Sequence, residues 1–183
     1  MKSVSQNSFE SRFVVGKFEK VSFVQFQTDF RNDGLLSYLT DADLVEMYSD
    51  IRLPQRSTAN SAGYDFYSPI TIKLMPKESI KIPTGIRVNI QNGWWLGCFP
   101  RSGMGFKYRL QLDNTVGIID PDYYYSDNEG HIFAKITNDN NEGKCVVINA
   151  GDKFMQGVFI PYGITCDDNA TALRNGGMGS TGK

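Results

Sequence analysis

From residue 70 to residue 90 the chain reads ITIKLMPKESIKIPTGIRVNI, and apolar side chains alternate with polar ones over 70–74, 80–82 and 86–90. Alternation with a period of two places the apolar side chains on one face of a strand, so this stretch predicts half-buried strands. The pattern returns at 132–136, 146–148 and 158–160, and Asn-Gly, Glu-Gly and Ala-Gly-Asp turns lie between the runs. Many short strands at this spacing are typical of an all-β sandwich or jelly roll.

The composition predicts one soluble domain. The chain has 183 residues, of which 40% are hydrophobic and 21% are charged, and this is enough apolar material for one core. A balance of 19 basic against 20 acidic residues leaves a formal charge of -1, which removes the field that nonspecific binding to nucleic acid or acidic membranes needs. No apolar run has the length of a membrane span, and the first residues lack the apolar region of a secretion signal. We therefore expect a cytoplasmic protein that binds neither nucleic acid nor membrane.

Cysteine and histidine are too few for several kinds of site. Cys98, Cys145 and Cys166 are well separated and form no CxxC pair, so we expect three free thiols. His131 is the single histidine, which excludes multi-histidine metal sites and zinc-deaminase motifs. A Ser-His-Asp hydrolase would need His131 beside a nucleophilic serine, and no nucleophile-elbow motif is present. Catalysis must then depend on carboxylates, lysine, arginine or backbone groups.

The first 50 residues differ from the rest in being polar with scattered aromatic side chains. Residues 21–26 predict a strand, and a break follows at 32–34. Thr40 with Asp43 forms a helix-capping pair, and apolar residues at 44, 47 and 48 predict a short amphipathic helix over 41–49. This helix docks on the core or, alternatively, serves a partner.

We expect a single domain in three parts. Residues 1–52 form an N-terminal extension with one strand and one short helix packed on the core. Residues 53–168 form the β-barrel. Residues 169–183 are small and glycine-rich, so they form a flexible C-terminal arm.

Two segments of the barrel carry groups that suit catalysis or anion binding. The run Arg101-Ser102-Gly103 follows a strand, and Ser102 could cap a short helical turn, which would build an anion site from a guanidinium, a hydroxyl and exposed N–H groups. An ordinary tight turn with a solvated arginine is the alternative. Asp120 ends an apolar strand before Pro121, where a partly desolvated carboxylate could act as a general base or could simply form the turn.

These segments become specific in combination with three others. In order along the chain the five segments are AGYDFYS at 62–68, RSG at 101–103, the run ending GIIDPDY at 117–123, GDKFMQ at 151–156 and GGMGSTG at 176–182. The last alone resembles a phosphate-binding loop without the P-loop lysine, or a flexible linker. Together the order and spacing resemble the five motifs of the homotrimeric dUTP diphosphatases, the dUTPase family.

The resemblance implies a jelly-roll-like β-barrel that forms a homotrimer with active sites shared between chains. It implies an enzyme that hydrolyses dUTP to dUMP and pyrophosphate with Mg²⁺, where Asp120 activates the attacking water. Asp65 would position Mg²⁺ through water. Asn114, Gly117 and Ile118 would read the uracil edge, and the Tyr123 ring would lie under the deoxyribose and exclude a 2′-hydroxyl. The residues implied to bind the phosphates or close over the nucleotide are Arg101, Ser102, Gly103, Gln156, Arg174, Met178, Gly179, Ser180 and Thr181.

Within its motifs the chain departs from the family pattern in three places, and the segment before Leu53 is longer than the family core needs. Met178 stands where an aromatic ring usually stacks on uracil, so we expect weaker binding or slower turnover. Leu173 stands at the usual arginine position of the last motif, and Arg174 is one residue closer to the glycines. The usual DYRG becomes a longer loop over 123–130 that lacks the arginine.

Two further functions remain as alternatives. A dCTP deaminase shares the fold, but its catalytic glutamate aligns with Lys135, which cannot replace a carboxylate. A nucleotide-gated regulatory protein would contact a partner protein through the N-terminal extension or the 124–129 loop.

Overall fold

The computed structural model describes residues 13–36, 38–172, 174 and 176. The described chain is mostly β, as the sequence predicts, and no helix in it is both long enough and apolar enough to cross a membrane. The strands are β1 (Gly16–Lys20), β2 (Gln55–Arg56), β3 (Tyr64–Tyr67), β4 (Ile72–Leu74), β5 (Ser79–Pro83), β6 (Ile86–Ile90), β7 (Trp94–Pro100), β8 (Leu110–Leu112), β9 (Gly117–Ile119), β10 (Phe133–Asn138), β11 (Val146–Ile148) and β12 (Lys153–Pro161). The α-helices are α1 (Phe23–Asn32), α2 (Asp41–Asp50) and α3 (Ser102–Tyr108), and short 3-10 helices cover Gly34–Leu36 and Pro121–Tyr125.

All the strand pairs among the described residues are antiparallel, and most of them connect strands that are distant in sequence. The largest sheet has five strands in the order β2-β3-β12-β7-β9, and the smaller sheets are β5-β10-β8, β1-β6 and β11-β4. In β6 the side chains of Ile86, Val88 and Ile90 are buried, whereas those between them are more exposed. Burial therefore follows the period of two on which the strand prediction rests.

The strand predicted over residues 21–26 is wrong, because helix α1 occupies 23–32 and the strand β1 precedes it. Ser22 is the N-cap of α1, and its Oγ accepts a hydrogen bond from the backbone N–H of Gln25 at 3.1 Å. Phe26 and Phe30 lie four residues apart and are both buried, which is the spacing of one helix face. The apolar spacing at the start of this segment fits both a strand and a helix. Burial of one helix face against the barrel favours the helix.

Helix α2 has the predicted cap and ends one residue beyond the predicted range. The Thr40 side chain accepts from the backbone of Asp43, and the Asp43 carboxylate accepts from the Thr40 backbone, so the capping box is complete. Leu44 is fully buried and belongs, with Phe26 and Phe30, to the same hydrophobic core as the barrel strands. The N-terminal segment thus shares the core of the barrel.

Candidate functional site

The first group of predicted site residues lies in one row across the five-stranded sheet. Asp65 in β3 is opposite Gln156 in β12, and Gln156 is in turn opposite Phe99 in β7. Arg101 follows β7 directly, and its Nε lies 2.9 Å from Asp65 Oδ1. The antiparallel register therefore brings together residues of three separate motifs.

Asp65 is almost fully buried and is bound by three side chains. Besides Arg101, it accepts a hydrogen bond from Ser57 Oγ at 2.6 Å, and Lys153 Nζ lies 2.9 Å from Oδ2. Burial by itself would raise the pKa of Asp65, but the hydrogen bonds from Ser57 and Lys153 and the charge of Arg101 outweigh it and lower the pKa. Asp65 is thus an anionic anchor that fixes two cationic side chains. The sequence prediction does not include Lys153 or Ser57 among the site residues.

Helix α3 begins at Ser102, which corrects the prediction that Ser102 caps it. Arg101 is the N-cap residue, since its backbone is extended and its carbonyl accepts from the N–H groups of Met104 at 3.1 Å and Gly105 at 2.9 Å. Ser102 and Gly103 occupy the first turn, where backbone N–H groups have no partner within the helix. Arg101, Ser102 and Gly103 thus lie together at the start of α3, with Arg101 rather than Ser102 as the cap.

Gln156 is held beside this turn by a backbone contact. Its Nε2 donates to the carbonyl oxygen of Pro100 at 3.1 Å. A Cβ at Gly63 would lie 2.7 Å from Gln156 Oε1, so only glycine at position 63 leaves the amide in this position. We call Asp65, Arg101, Ser102, Lys153 and Gln156 the cationic cluster.

The second group of predicted residues lies on β9 and the turns at its two ends. Before β9, the chain makes a tight turn in which Thr115 has a positive φ of 65° and the Val116 N–H donates to the carbonyl of Asn114 at 2.7 Å. Gly117 packs closely on β7, since a Cβ there would lie 3.1 Å from Cys98 Cβ. Ile118 points outward and is 58% exposed. The turn and strand therefore present an open edge.

Asp120 follows β9, and Arg174 lies against it. Arg174 Nη1 lies 2.9 Å from Asp120 Oδ2 and 3.5 Å from Asp122 Oδ1. The Arg174 guanidinium carbon is 4.9 Å from the centroid of the Tyr123 ring. The Asp120 side chain remains 46% exposed, so water reaches it. In this conformation Arg174 contacts both Asp120 and the Tyr123 ring.

The Tyr123 side chain is buried, and its hydroxyl is fixed by two partners. The hydroxyl donates to the His131 carbonyl at 2.6 Å and accepts from Asn128 Nδ2 at 2.8 Å. Burial raises the pKa of Tyr123, against the lowering effects of Asn128 and Arg174. The ring therefore has a fixed position immediately after Asp120.

Asp120 and the cationic cluster of one chain lie far apart. Asp120 follows Ile119, which pairs with Leu96 of β7, while Gln156 pairs with Phe99. Asp120 itself then lies level with Trp95, four residues along β7 from Phe99, and three strand spacings separate β3 from β9. Together these offsets place Asp120 and Asp65 roughly 20 Å apart. The structure does not bring the two predicted groups into one site within a single chain.

Several predicted positions lie outside the described residues. These are Leu173, Met178, Gly179, Ser180 and Thr181. Within the described part of the chain, no group of three or more His, Cys, Asp or Glu side chains could hold a metal ion.

The contacts of the His131 ring indicate a structural role for this residue. The ring is fully buried, Nε2 accepts from the Gly85 N–H at 2.7 Å, and Nδ1 lies 2.5 Å from Asp29 Oδ2. Because Nε2 is the acceptor of a buried backbone N–H, it cannot accept a proton from a serine nucleophile. Lys135, at the deaminase glutamate position, is ion-paired with Asp113 at 2.9 Å.

A β-rich fold with a half-exposed carboxylate at a strand end and a separate cationic cluster defines a class of proteins that can bind an anionic ligand. Three comparisons identify that class further. The family model described as dUTPase matches residues 49–182. The deoxyuridine 5′-triphosphate nucleotidohydrolase of Lactococcus lactis subsp. lactis (strain IL1403) is 43% identical over 145 residues, which cover 76% of this chain and 95% of that protein.

Solved structures agree with this. The dUTPase from Streptococcus mutans is 36% identical, with a TM-score of 0.58, and the match covers 81% of this chain and 97% of that one. A mutant dUTPase from phage phi11 of S. aureus, described with a structural Mg(II) ion, is 25% identical with a TM-score of 0.53, covering 67% of this chain and 91% of that one. The chain therefore belongs to the dUTPase family, which confirms the resemblance seen in its motifs.

Proposed function

We propose that this protein hydrolyses dUTP to dUMP and pyrophosphate. The observation that carries the proposal is the position of Asp120, which lies half-exposed at the end of β9 with Tyr123 fixed beside it. Asp120 takes a proton from water, and the water oxygen forms a bond to the α-phosphorus. The bond from that phosphorus to the bridging oxygen of the β-phosphate breaks, and pyrophosphate leaves.

The uracil and the sugar are recognised along the edge that leads to Asp120. The turn at Asn114 and the backbone of Gly117 and Ile118 offer donors and acceptors to the uracil edge. The deoxyribose lies on the Tyr123 ring, on the face that Arg174 covers in this structure. Arg174 must therefore leave that face when nucleotide binds, and its guanidinium is then free to bind phosphate.

The charges of the cationic cluster support a requirement for Mg²⁺. Arg101 and Lys153 carry two positive charges and Asp65 one negative charge, which leaves about one net positive charge for a triphosphate with roughly four negative charges. Among the described residues, Asp65 Oδ1 has Arg101 as its one partner, which leaves an acceptor site for a metal-bound water. Mg²⁺ held by the phosphates and this water fits the residues present, and it would neutralise charge on the phosphates.

Separation of Asp120 from the cationic cluster supports an active site shared between chains. Roughly 20 Å between Asp120 and Asp65 is too far for one triphosphate to reach both. A second copy that places its cationic cluster against the first copy's Asp120 completes the site. We propose the homotrimer on this ground, with Met178, Gly179, Ser180 and Thr181 of the C-terminal arm closing over the nucleotide.

Measuring pyrophosphate release with Mg²⁺ from dUTP, dCTP, dTTP and UTP tests the proposal. We expect release from dUTP only, and we expect Asp120→Asn to abolish it because an amide cannot accept the proton. Asp122→Asn is the matched control, since Asp122 also contacts Arg174 but lies outside the proposed machinery. Release from dUTP by the wild type that does not exceed release by Asp120→Asn would overturn the proposal.

The alternative functions receive no support from the described residues. Lys135 stands at the position where a deaminase needs a free carboxylate, and it is ion-paired with Asp113. The two surfaces predicted for a protein partner, the N-terminal extension and the 124–129 loop, bind each other within the chain.

A further inference from the structure

Three polar contacts connect the N-terminal extension to the loop that follows Asp120. Their pairs are Glu19 with Tyr124, Ser22 with Glu129, and Asp29 with His131. We propose that the extension is a positioning element of the active site, which fixes the Tyr123 ring and thereby sets the preference for deoxyribose over ribose. This inference rests on the proposed role of Tyr123.

The contact of Asp29 with His131 is the most direct of the three. Asp29 Oδ2 accepts from His131 Nδ1 at 2.5 Å, and Gln25 Nε2 donates to the same oxygen at 2.9 Å, so the carboxylate is oriented by its own helix. The opposite ring nitrogen of His131 accepts from the Gly85 N–H. With both nitrogens bound, the imidazole cannot turn, and the His131 backbone is held in place.

The backbone of His131 in turn holds Tyr123. Its carbonyl accepts the Tyr123 hydroxyl at 2.6 Å, and its N–H donates to the Asn128 carbonyl at 3.0 Å. Asn128 Nδ2 donates to the same hydroxyl. A displacement of His131 would therefore release both partners of the Tyr123 hydroxyl.

The contact of Glu129 with Ser22 holds the loop at the start of α1. Glu129 Oε1 accepts from Ser22 Oγ at 2.6 Å, and Oε2 accepts from the Ser22 N–H at 2.7 Å. Burial by itself would raise the pKa of Glu129, but the two bonds from Ser22 and the charge of Arg87 lower it, so the carboxylate stays ionised. Glu129 has a positive φ of 57°, a strained conformation that this pairing helps to maintain.

The contact of Tyr124 with Glu19 holds the residue next to Tyr123. The Tyr124 hydroxyl donates to Glu19 Oε2 at 2.6 Å. The Arg87 guanidinium lies 3.6 Å from the centroid of the Tyr124 ring and donates to the Tyr124 carbonyl at 3.1 Å. Tyr124 is thus bound through its ring, its hydroxyl and its backbone, and Tyr123 has little freedom to move.

The steric exclusion of a 2′-hydroxyl depends on how rigidly the ring beneath the sugar is held. A ring that can move by a fraction of an ångström would accept the extra oxygen atom, while the uracil contacts on β9 would be unchanged. Loss of an anchoring contact should therefore raise the activity on UTP relative to the activity on dUTP. The activity on dUTP itself should fall by a smaller factor.

The test compares kcat/KM for dUTP and UTP in Asp29→Ala, Asp29→Asn and Tyr124→Phe. We expect the dUTP-to-UTP ratio to fall about tenfold in Asp29→Ala, which is the change for one lost hydrogen bond to a charged group. Asp29→Asn keeps an acceptor oxygen for His131 Nδ1 and should recover most of the ratio. Tyr124→Phe removes one hydroxyl and keeps the ring, so it provides the same readout if Asp29→Ala fails to fold.

Asp41→Asn is the control, because Asp41 lies in the same extension and pairs with Arg31 on the surface, away from the loop. Its ratio should equal that of the wild type. An unchanged ratio in folded Asp29→Ala and Tyr124→Phe would overturn the inference. A wild type that hydrolyses dUTP and UTP equally would instead show that the proposed role of Tyr123 is wrong.

Discussion

Replacing Asp65 with asparagine tests whether a single carboxylate organises the cationic cluster. Asparagine has the same shape, but it carries no charge for Arg101 or Lys153, which lie 2.9 Å from the Asp65 oxygens. The variant should leave two positive charges facing each other without an anion between them. We therefore expect a loss of both stability and activity.

The size of the stability loss follows from the exposure of the partners. Removing one member of a fully buried ion pair costs about 3–5 kcal/mol. The side chains of Arg101 and Lys153 are 36% and 33% exposed, so water can solvate part of the charge that Asp65 now compensates. The asparagine oxygen can still accept from Ser57. We expect the free energy of unfolding to fall by about 2 kcal/mol, which lowers Tm by roughly 4–8 °C in a chain of this size.

Thermal unfolding at several pH values provides the assay. The folded-state pKa of Asp65 is depressed, so its stabilisation is complete above its unfolded-state pKa, about 4, and is lost as pH falls through the lower folded-state value. The difference in Tm between wild type and Asp65→Asn should be constant from about pH 5 to pH 8 and should narrow below about pH 4. Equal Tm values at pH 7 would refute the reasoning, and so would a difference that widens in acid. Asp41→Asn, which breaks an exposed ion pair, is the control.

Two further predictions concern the core. Phe26→Ala should lower the free energy of unfolding by about 3–5 kcal/mol in urea titrations, since the ring is fully buried between extension and barrel; a loss near zero would show that the extension is not part of the core. Burial raises the pKa of the Cys98 thiol to about 12. In native protein at about pH 8, mass spectrometry should therefore find iodoacetamide on the exposed Cys166 and not on Cys98, with all three cysteines labelled after denaturation.

Most of the barrel could be predicted from the sequence because the residue pattern within each strand indicates which of its side chains are buried. A half-buried strand alternates apolar with polar side chains, as Ile86, Val88 and Ile90 do, and no knowledge of the partner strand is needed to see it. β1 is different, because its five residues include a single large apolar side chain, Phe18. Its pairing with β6 is a long-range contact, and the local pattern carries no sign of it.

The prediction of a strand over 21–26 is wrong because two periods overlap there. Val21 and Phe23 fit an alternating strand, while Phe23, Phe26 and Phe30 fit one face of a helix. Ser22 as an N-cap is the local signal that favours the helix.

The sequence indicates which residues belong to the candidate site, because they lie in recognisable motifs. It indicates less about which of these residues contact one another. The end of a strand at Asp120 can be read from the residues around it. The ion pair between Asp65 and Lys153 and the bond between Asp29 and His131 join residues that are far apart in sequence, so a single sequence does not contain them. In the proposed shared site, the residues of a second chain that would face Asp120 also cannot be identified from a single sequence.

Two features of the loop over 123–130 that depart from the family pattern have a common physical explanation. The loop lacks the usual arginine, but Arg87 from β6 supplies a guanidinium to it, stacked on Tyr124 and 3.8 Å from Glu129. The longer loop also provides Glu129, which binds the start of α1 through Ser22. Without the extension, Glu129 would lose its two bonds from Ser22 and its left-handed backbone would lose support. The extension and the loop therefore depend on each other, and a change in either should disturb the position of Tyr123.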